Sequence, residues 1–138
     1  MKQIVTILML SAIAVGCKNS ANQQRPSTQY EEKKASIADM EKESPLKFLK
    51  ISGSHRNNLV NRTVVEGEII NKATLTTYKN IEVQVDFKDK EGATIEKHKQ
   101  TVEGEVEPGG TLGYKIKTDH VKGAESVTID ITDATADK

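Results

Sequence analysis

Residues 78–95, YKNIEVQVDFKDKEGATI, constrain the fold of this chain more than any other stretch. Polar residues alternate there with apolar ones, which fall on every second position at Ile81, Val83, Val85 and Phe87. Successive side chains of a strand point to opposite faces, whereas a helix would scatter these four around its circumference. The run ends in DKEG, where Gly92 suits a tight turn because glycine accepts positive φ. The pattern predicts a strand with one buried face, followed by a hairpin turn.

The chain after Leu46 contains further short runs of this kind, separated by turn-forming residues. We predict strands at 46–54, 62–71, 94–102 and 111–118, and a last one around Val127, Ile129 and Ile131. A change of phase between Phe48 and Leu49 predicts a bulge or bend in the first strand. Strands at these intervals, with turns between them, predict an all-β fold: an antiparallel β-sandwich of six or seven strands.

Several side chains are expected to face the core. Val65, Gly67 and Ile69 would share one face of the second strand, and Leu112, Tyr114 and Ile116 alternate with polar residues. In the polar strand 94–102, Ile95 and Val102 are expected to be partly buried, while its lysines discourage edge-to-edge pairing.

The first 16 residues have the composition of a secretory signal. Lys2 is followed by an apolar run, 4–15, which is too short to span a bilayer because a spanning helix needs about 20 apolar residues. Ala14-Val15-Gly16-Cys17 resembles the lipobox of bacterial lipoproteins, in which the cysteine thiol receives a lipid and the chain is cut just before it. The resemblance implies lipidation, including palmitate, at Cys17, the only cysteine. The alternatives are an ordinary secretory signal with a chance cysteine, or a short membrane anchor.

Residues 17–45 form the lipidated N-terminus and a polar segment that cannot bury enough apolar surface to fold alone. Thr28 and Glu31 have the spacing of a capping box, so a short helix is expected after them within a flexible or partly helical tether. Tyr30, Ile37 and Met40 could form a docking stripe for a partner, but we favour a spacer that visits helix. The domain would follow at 46–133, with a C-terminal tail at 134–138.

Charge and location limit the partners. Removing the first 16 residues takes away Lys2 and no acid, which leaves 20 acids and 19 bases. A chain this close to neutrality lacks the basic field that nucleic acid binding requires. Lys18, rather than an aspartate, follows the cysteine, which favours the outer membrane of a bacterial envelope.

The strand and turn signals resemble those of the FxLYD-type domain, an immunoglobulin-like module of bacterial and archaeal envelope proteins. The resemblance covers about 64–131 and depends on residues 67–71 (GEIIN), 79–85 (KNIEVQV), 89–92 (DKEG) and 107–111 (EPGGT). Val85 to Asp89 stand where the name-giving motif lies, with Lys88 in place of its tyrosine. The resemblance implies an immunoglobulin-like sandwich and a non-catalytic accessory role.

No constellation in the sequence predicts a catalytic, cofactor or metal site. His55, His98 and His120 lack the short spacing of metal ligands, and Asp86, Asp89 and Glu91 lack the alternating oxygens of a calcium loop. Glu103, Glu105 and Glu107 are expected to form a solvated acidic face, and the lysines around the central hairpin a mixed one. No Gly-x-Ser-x-Gly elbow or phosphate-binding glycine loop occurs.

We therefore expect a membrane-anchored envelope lipoprotein that presents a non-catalytic β-sandwich to a protein or glycan partner. The alternative is a periplasmic domain that binds a small ligand or a cation. An envelope enzyme is the least favoured hypothesis.

Overall fold

Two three-stranded antiparallel sheets, preceded by two helices, make up the part of the chain that the structure describes. The structure is a computed structural model, and it describes residues 26–58 and 60–137. The predicted signal peptide, Cys17 and the tether up to residue 25 lie outside these residues. The helices are α1 (Pro26–Glu43) and α2 (Pro45–Phe48), and the strands are β1 (Leu49–Asn57), β2 (Arg62–Asn71), β3 (Tyr78–Lys88), β4 (Thr94–Val106), β5 (Thr111–Asp119) and β6 (Ser126–Ala136).

The strand order is β1-β2-β5 in one sheet and β4-β3-β6 in the other. The alternating strand of the sequence is β3, which lies in the centre of its sheet and pairs with both β4 and β6. Its four alternating apolar side chains are almost fully buried, and they pack in one cluster with Val65, Ile69, Tyr114 and Ile116 of the other sheet. The predicted all-β antiparallel sandwich is confirmed, because each sheet buries one face against the other.

The first predicted strand is wrong at its beginning. Residues 45–48 form α2, and β1 begins only at Leu49. Pro45 lies in the first turn of α2, where its fixed φ suits a helix and its missing N–H costs nothing. The change of phase at Phe48 is therefore the passage from helix to strand and not a bulge. At its other end β1 extends to Asn57, past the predicted strand end at residue 54, because it pairs with β2 as far as Thr63.

β4 is longer than predicted and differs in one buried position. It extends to Val106, which is buried and pairs with Tyr78. Ile95 is 44% exposed, so its predicted partial burial is wrong: it lies on an edge strand at the hairpin end. Val102 is buried as predicted.

Helix α1 begins at Pro26, two residues before the predicted cap at Thr28, so the predicted capping box does not mark the start of the helix. Proline is favoured in the first turn of a helix. No helix in the described ranges is long and apolar enough to cross a bilayer. At the other end of the chain, β6 extends to Ala136, which pairs with Tyr78.

Candidate functional site

The last turn of α1 carries a buried carboxylate that fixes the helix to the sandwich. Glu41 is 1% exposed, and its two oxygens accept three hydrogen bonds from the loop between β2 and β3. The donors are the backbone N–H of Thr74 at 2.7 Å, the Thr74 hydroxyl at 2.9 Å and the backbone N–H of Leu75 at 3.0 Å. Hydrogen bonds to an ionised acceptor are the stronger kind, so this contact holds α1 against the loop.

Burial and hydrogen bonding act on Glu41 in opposite directions. Desolvation alone would raise the pKa of the carboxyl, since it disfavours the charged form. The hydrogen bonds donated by Thr74 and Leu75 outweigh it, and the pKa of Glu41 is lowered from its ordinary value of 4.5. The carboxylate is therefore ionised at neutral pH despite its burial.

Tyr78 ties the same turn of α1 to the core. Its hydroxyl donates a hydrogen bond of 2.8 Å to the backbone carbonyl of Glu41, and its ring is fully buried at the start of β3. Burial, together with the nearby negative charge of Glu41, raises the pKa of Tyr78 to about 12. The neutral phenol donor is thus retained at every physiological pH.

Asn71 orders the loop that meets Glu41. Its buried side-chain amide donates to the carbonyls of Thr76 at 2.8 Å and Val106 at 2.9 Å, and its Oδ1 accepts from the N–H of Ala73 at 2.8 Å. Its backbone N–H also donates a hydrogen bond to the carbonyl of Gly110 in the turn between β4 and β5. The loop is therefore held in place by the sandwich itself, and it presents its donors to Glu41 in a fixed geometry.

Two open grooves lie beside α1. One, of about 540 Å³, lies between α1 and residues 75–77 and is flanked by Lys34 and Lys42. The other, of about 420 Å³, is lined by the residues Tyr30, Lys33, Lys34, Ile37, Thr74 and Leu75. The second groove brings two members of the predicted docking stripe next to an apolar side chain of the sandwich, which the sequence did not indicate.

The structure separates most of the other candidate residues. His55 and His120 line one small cleft, of about 10 Å³, whereas His98 lies in a different one beside Arg62 and Lys117. Within residues 26–58 and 60–137, no group of three His, Cys, Asp or Glu side chains could hold a metal ion.

The acidic residues of the central hairpin serve the strands and the turn. Asp86 lies 3.6 Å from the ammonium of Lys97 and accepts a hydrogen bond from Gln84. Asp89 accepts hydrogen bonds from the N–H groups of Glu91 and Ala93, which close the turn. The lysines are likewise interleaved with acids, because Lys79 pairs with Asp137 at 2.5 Å and Lys99 with Glu82 at 2.8 Å.

The sequence did not indicate the residues that fix α1 to the sandwich, Glu41 and Asn71. Glu41 lies in a charged run, MEKES, and it differs from Glu43 only in helical phase, since it falls on the face of Ile37, four residues earlier. Asn71 did stand in the pattern shared with the FxLYD-type domain, but its role as a brace became visible only in the fold. An asparagine at the end of a strand, followed by a long loop, is the signal that could have indicated such a role.

Comparison with known proteins gives one structural similarity. No protein-family model matches the sequence, and no curated protein matches it, so the resemblance to the FxLYD-type domain stays a prediction. Among solved structures, the chain is similar to the Salmonella enterica trimeric lipoprotein SadB, with 12% identity and a TM-score of 0.48. The match covers 80% of this chain and 76% of that one.

Proposed function

We propose that this chain is a lipid-anchored lipoprotein of a bacterial envelope that presents a non-catalytic β-sandwich as an interaction module. The observation that carries the proposal is the apolar run 4–15 followed by Ala14-Val15-Gly16-Cys17, which places the only thiol of the chain where lipid attachment requires it. Several acyl chains on one residue anchor a protein durably, whereas a single chain binds a membrane only marginally. Lys18 after the cysteine supports the outer membrane as the destination.

The contact of Glu41 with the β2–β3 loop makes part of the chain between the anchor and the sandwich rigid. An 18-residue helix is about 27 Å long, and the last turn of α1 is fixed to the sandwich through Glu41 and Tyr78. Over residues 26–43 the predicted spacer is therefore a rod attached to the domain at one end. Such a rod would fix the position of residue 26, where the tether from the anchor arrives, relative to the sandwich.

The open sheet edges support binding of an extended segment of a protein partner. Both β1 and β4 lie at an edge of their sheets. An edge strand offers unpaired backbone groups to which another strand can add. A photo-crosslinker placed at Lys97 on β4 in intact cells tests this mode; crosslinks from an exposed β3 position equal in number to those from Lys97 would contradict it.

The anchor is tested by metabolic labelling. Cells that express the full chain are fed an alkyne analogue of palmitate, and we expect labelling of the wild type and none of Cys17→Ser. A second variant, Cys17→Ser with Ser20→Cys, keeps one thiol but moves it out of the lipobox, so it controls for unspecific acylation of any thiol. Labelling of all three proteins to the same extent would refute acylation at Cys17.

A further inference from the structure

The faces of α1 differ in charge and polarity. Tyr30, Lys33, Lys34 and Ile37 are spaced i, i+3, i+4 and i+7, so they share one face of the helix. Glu32, Asp39 and Glu43 lie roughly half a turn away from that face. One side of the helix is therefore basic and apolar as far as Ile37, and the buried Glu41, four residues later, continues the same face in the last turn. The opposite side is acidic.

The basic and apolar side is open to solvent where it meets the sandwich. Tyr30 is 70% exposed and Ile37 39% exposed, and both line the groove of about 420 Å³ that Leu75 closes on the other side. Met40, 54% exposed, continues the apolar stripe one turn after Ile37. We call this surface, formed by Tyr30, Lys33, Lys34, Ile37 and Leu75, the α1 flank.

Exposed apolar side chains are concentrated at the end of the molecule that carries α1. Five of the seven large apolar residues exposed in the described ranges lie there: Tyr30, Ile37, Met40, Leu46 and Leu75. The other two, Val60 and Ile95, lie at the opposite end of the sheets. The two ends are far apart, since β3 extends over roughly 33 Å from Tyr78, which bonds Glu41, to Lys88 at the hairpin with β4.

The chain length before α1 limits how far this end can be from an anchored Cys17. Residues 18–25 are eight residues, which span at most about 29 Å in any conformation. A lipid on Cys17 would thus keep the start of α1 within about 29 Å of the headgroups of the membrane that holds the lipid, which leaves Tyr30 able to reach them.

We infer that the α1 flank docks on an anionic phospholipid surface, so that α1 lies on the membrane instead of standing away from it. Lys33 and Lys34 match the negative headgroups, and the Tyr30 ring suits the interface because one end is apolar and the other polar. Docking by this face turns Glu32, Asp39 and Glu43 towards water. The inference rests on the proposed function, since the anchor is what brings the flank to the lipid.

The test uses two properties of the mature chain, residues 17–138: it has one thiol and no tryptophan. Tyr30→Trp introduces a single fluorescent reporter on the flank, and Ile95→Trp introduces the matched reporter at the far end. Each protein is coupled through Cys17 to a maleimide-bearing lipid in vesicles of phosphatidylcholine, with or without phosphatidylglycerol. We expect the indole at position 30 to emit at shorter wavelength and to be quenched by brominated lipid when phosphatidylglycerol is present. The indole at position 95 should show neither change.

Two double variants, made in the Tyr30→Trp background, test whether docking depends on the charges of the α1 flank. Lys33→Ala with Lys34→Ala should lower the ratio of docked to undocked protein on the order of thirtyfold, and added salt should act in the same direction. Lys90→Ala with Lys122→Ala removes the same charge from exposed positions elsewhere and should change nothing.

Two results would overturn the inference. One is an unchanged emission at position 30 on anionic vesicles; the other is a blue shift that needs no anionic lipid and grows with protein density, which would indicate a second copy on the flank. Chemical coupling replaces acylation in this experiment, so a failure of the docking is distinguishable from a failure of palmitate labelling.

Discussion

At the scale of single residues, a charged side chain inside the protein decides where α1 lies. Glu41 gives up contact with water, and the loop returns three hydrogen bonds to its carboxylate. A buried charge is tolerated only when it is compensated in this way. The helix consequently has one position on the sandwich in which Glu41 is satisfied.

We expect Glu41→Gln to loosen this contact. The amide keeps one acceptor oxygen but brings an NH2 group towards the N–H donors of Thr74 and Leu75, and a buried unpaired donor costs about 1–3 kcal/mol. The amide hydrogens of Thr74 and Leu75 should exchange faster with solvent, by the factor in the opening equilibrium that this loss of free energy produces. Glu43→Gln, an exposed change two residues away, is the control and should leave both rates unaltered. Equal rates in the wild type and in Glu41→Gln would contradict the role given to this carboxylate.

The inward face of β3 gives a second prediction at this scale. Val85 is fully buried between the sheets, so Val85→Asp would place an unpaired charge in the core. We expect a loss of several kcal/mol in the free energy of unfolding. Thermal melts should show a large fall in Tm for this variant and almost none for Gln100→Asp, an exposed change on β4. A Tm that Val85→Asp leaves in place would mean that the face of β3 is assigned wrongly.

At the scale of elements, the pairing of β1 with β2 depends on two glycines that face each other. Gly53 pairs with Gly67, and the Tyr114 hydroxyl reaches across Gly53 to donate a 3.0 Å hydrogen bond to the carbonyl of Ser52. A Cβ on Gly67 would overlap the backbone of Ser52 and Gly53. The sequence marked Gly67 as a member of the inward face, but only the pairing shows why its side chain must be absent.

We therefore expect Gly67→Ala to push β1 away from β2. Overpacking of this kind costs about 1–3 kcal/mol. Gly113→Ala, on the neighbouring strand β5, is the matched control, because its Cβ would lie 3.9 Å from the nearest backbone oxygen, an ordinary contact. Chemical denaturation of the two variants measures the difference, and equal midpoints would contradict the close approach.

At the scale of the whole molecule, the attachment of α1 should depend on pH. The pKa of Glu41 is lowered in the folded protein, so the ionised form stabilises docking above the ordinary value of 4.5. This stabilisation is lost as the pH falls below 4.5 and through the lowered pKa, because the released carboxyl binds a proton more tightly than the docked one, whose hydrogen bonds favour the ionised form. The buried strand residues of the described ranges include no carboxyl. The pKa of Glu82 on β3 is also lowered, by hydrogen bonds from Lys99 and Thr132, but this side chain is partly exposed, so its protonation costs the sheets little and α1 should detach before they unfold.

NMR measures this directly. On acidification from neutral pH we expect the amide shifts of Thr74 and Leu75 to move towards random-coil values below pH 4.5, while heteronuclear NOE values fall along α1. Signals from β3 should remain. In Glu41→Gln the amide shifts of Thr74 and Leu75 should not change over the same pH range, since the titrating group is gone. If this variant responded to pH as the wild type does, the transition would belong to another residue.

The sequence by itself determined the sandwich. Alternation of period two sorts residues between a wet and a dry face whatever lies across from them, so β2, β3 and β5 could be placed almost to the residue. The tertiary structure alone decided that residues 45–48 are helical, that Glu41 is buried, and that α1 is fixed to the domain. The burial of Glu41 and the attachment of α1 depend on which donors a loop far along the chain presents, and a carboxylate in a charged run carries no local sign of the partners that will remove it from water.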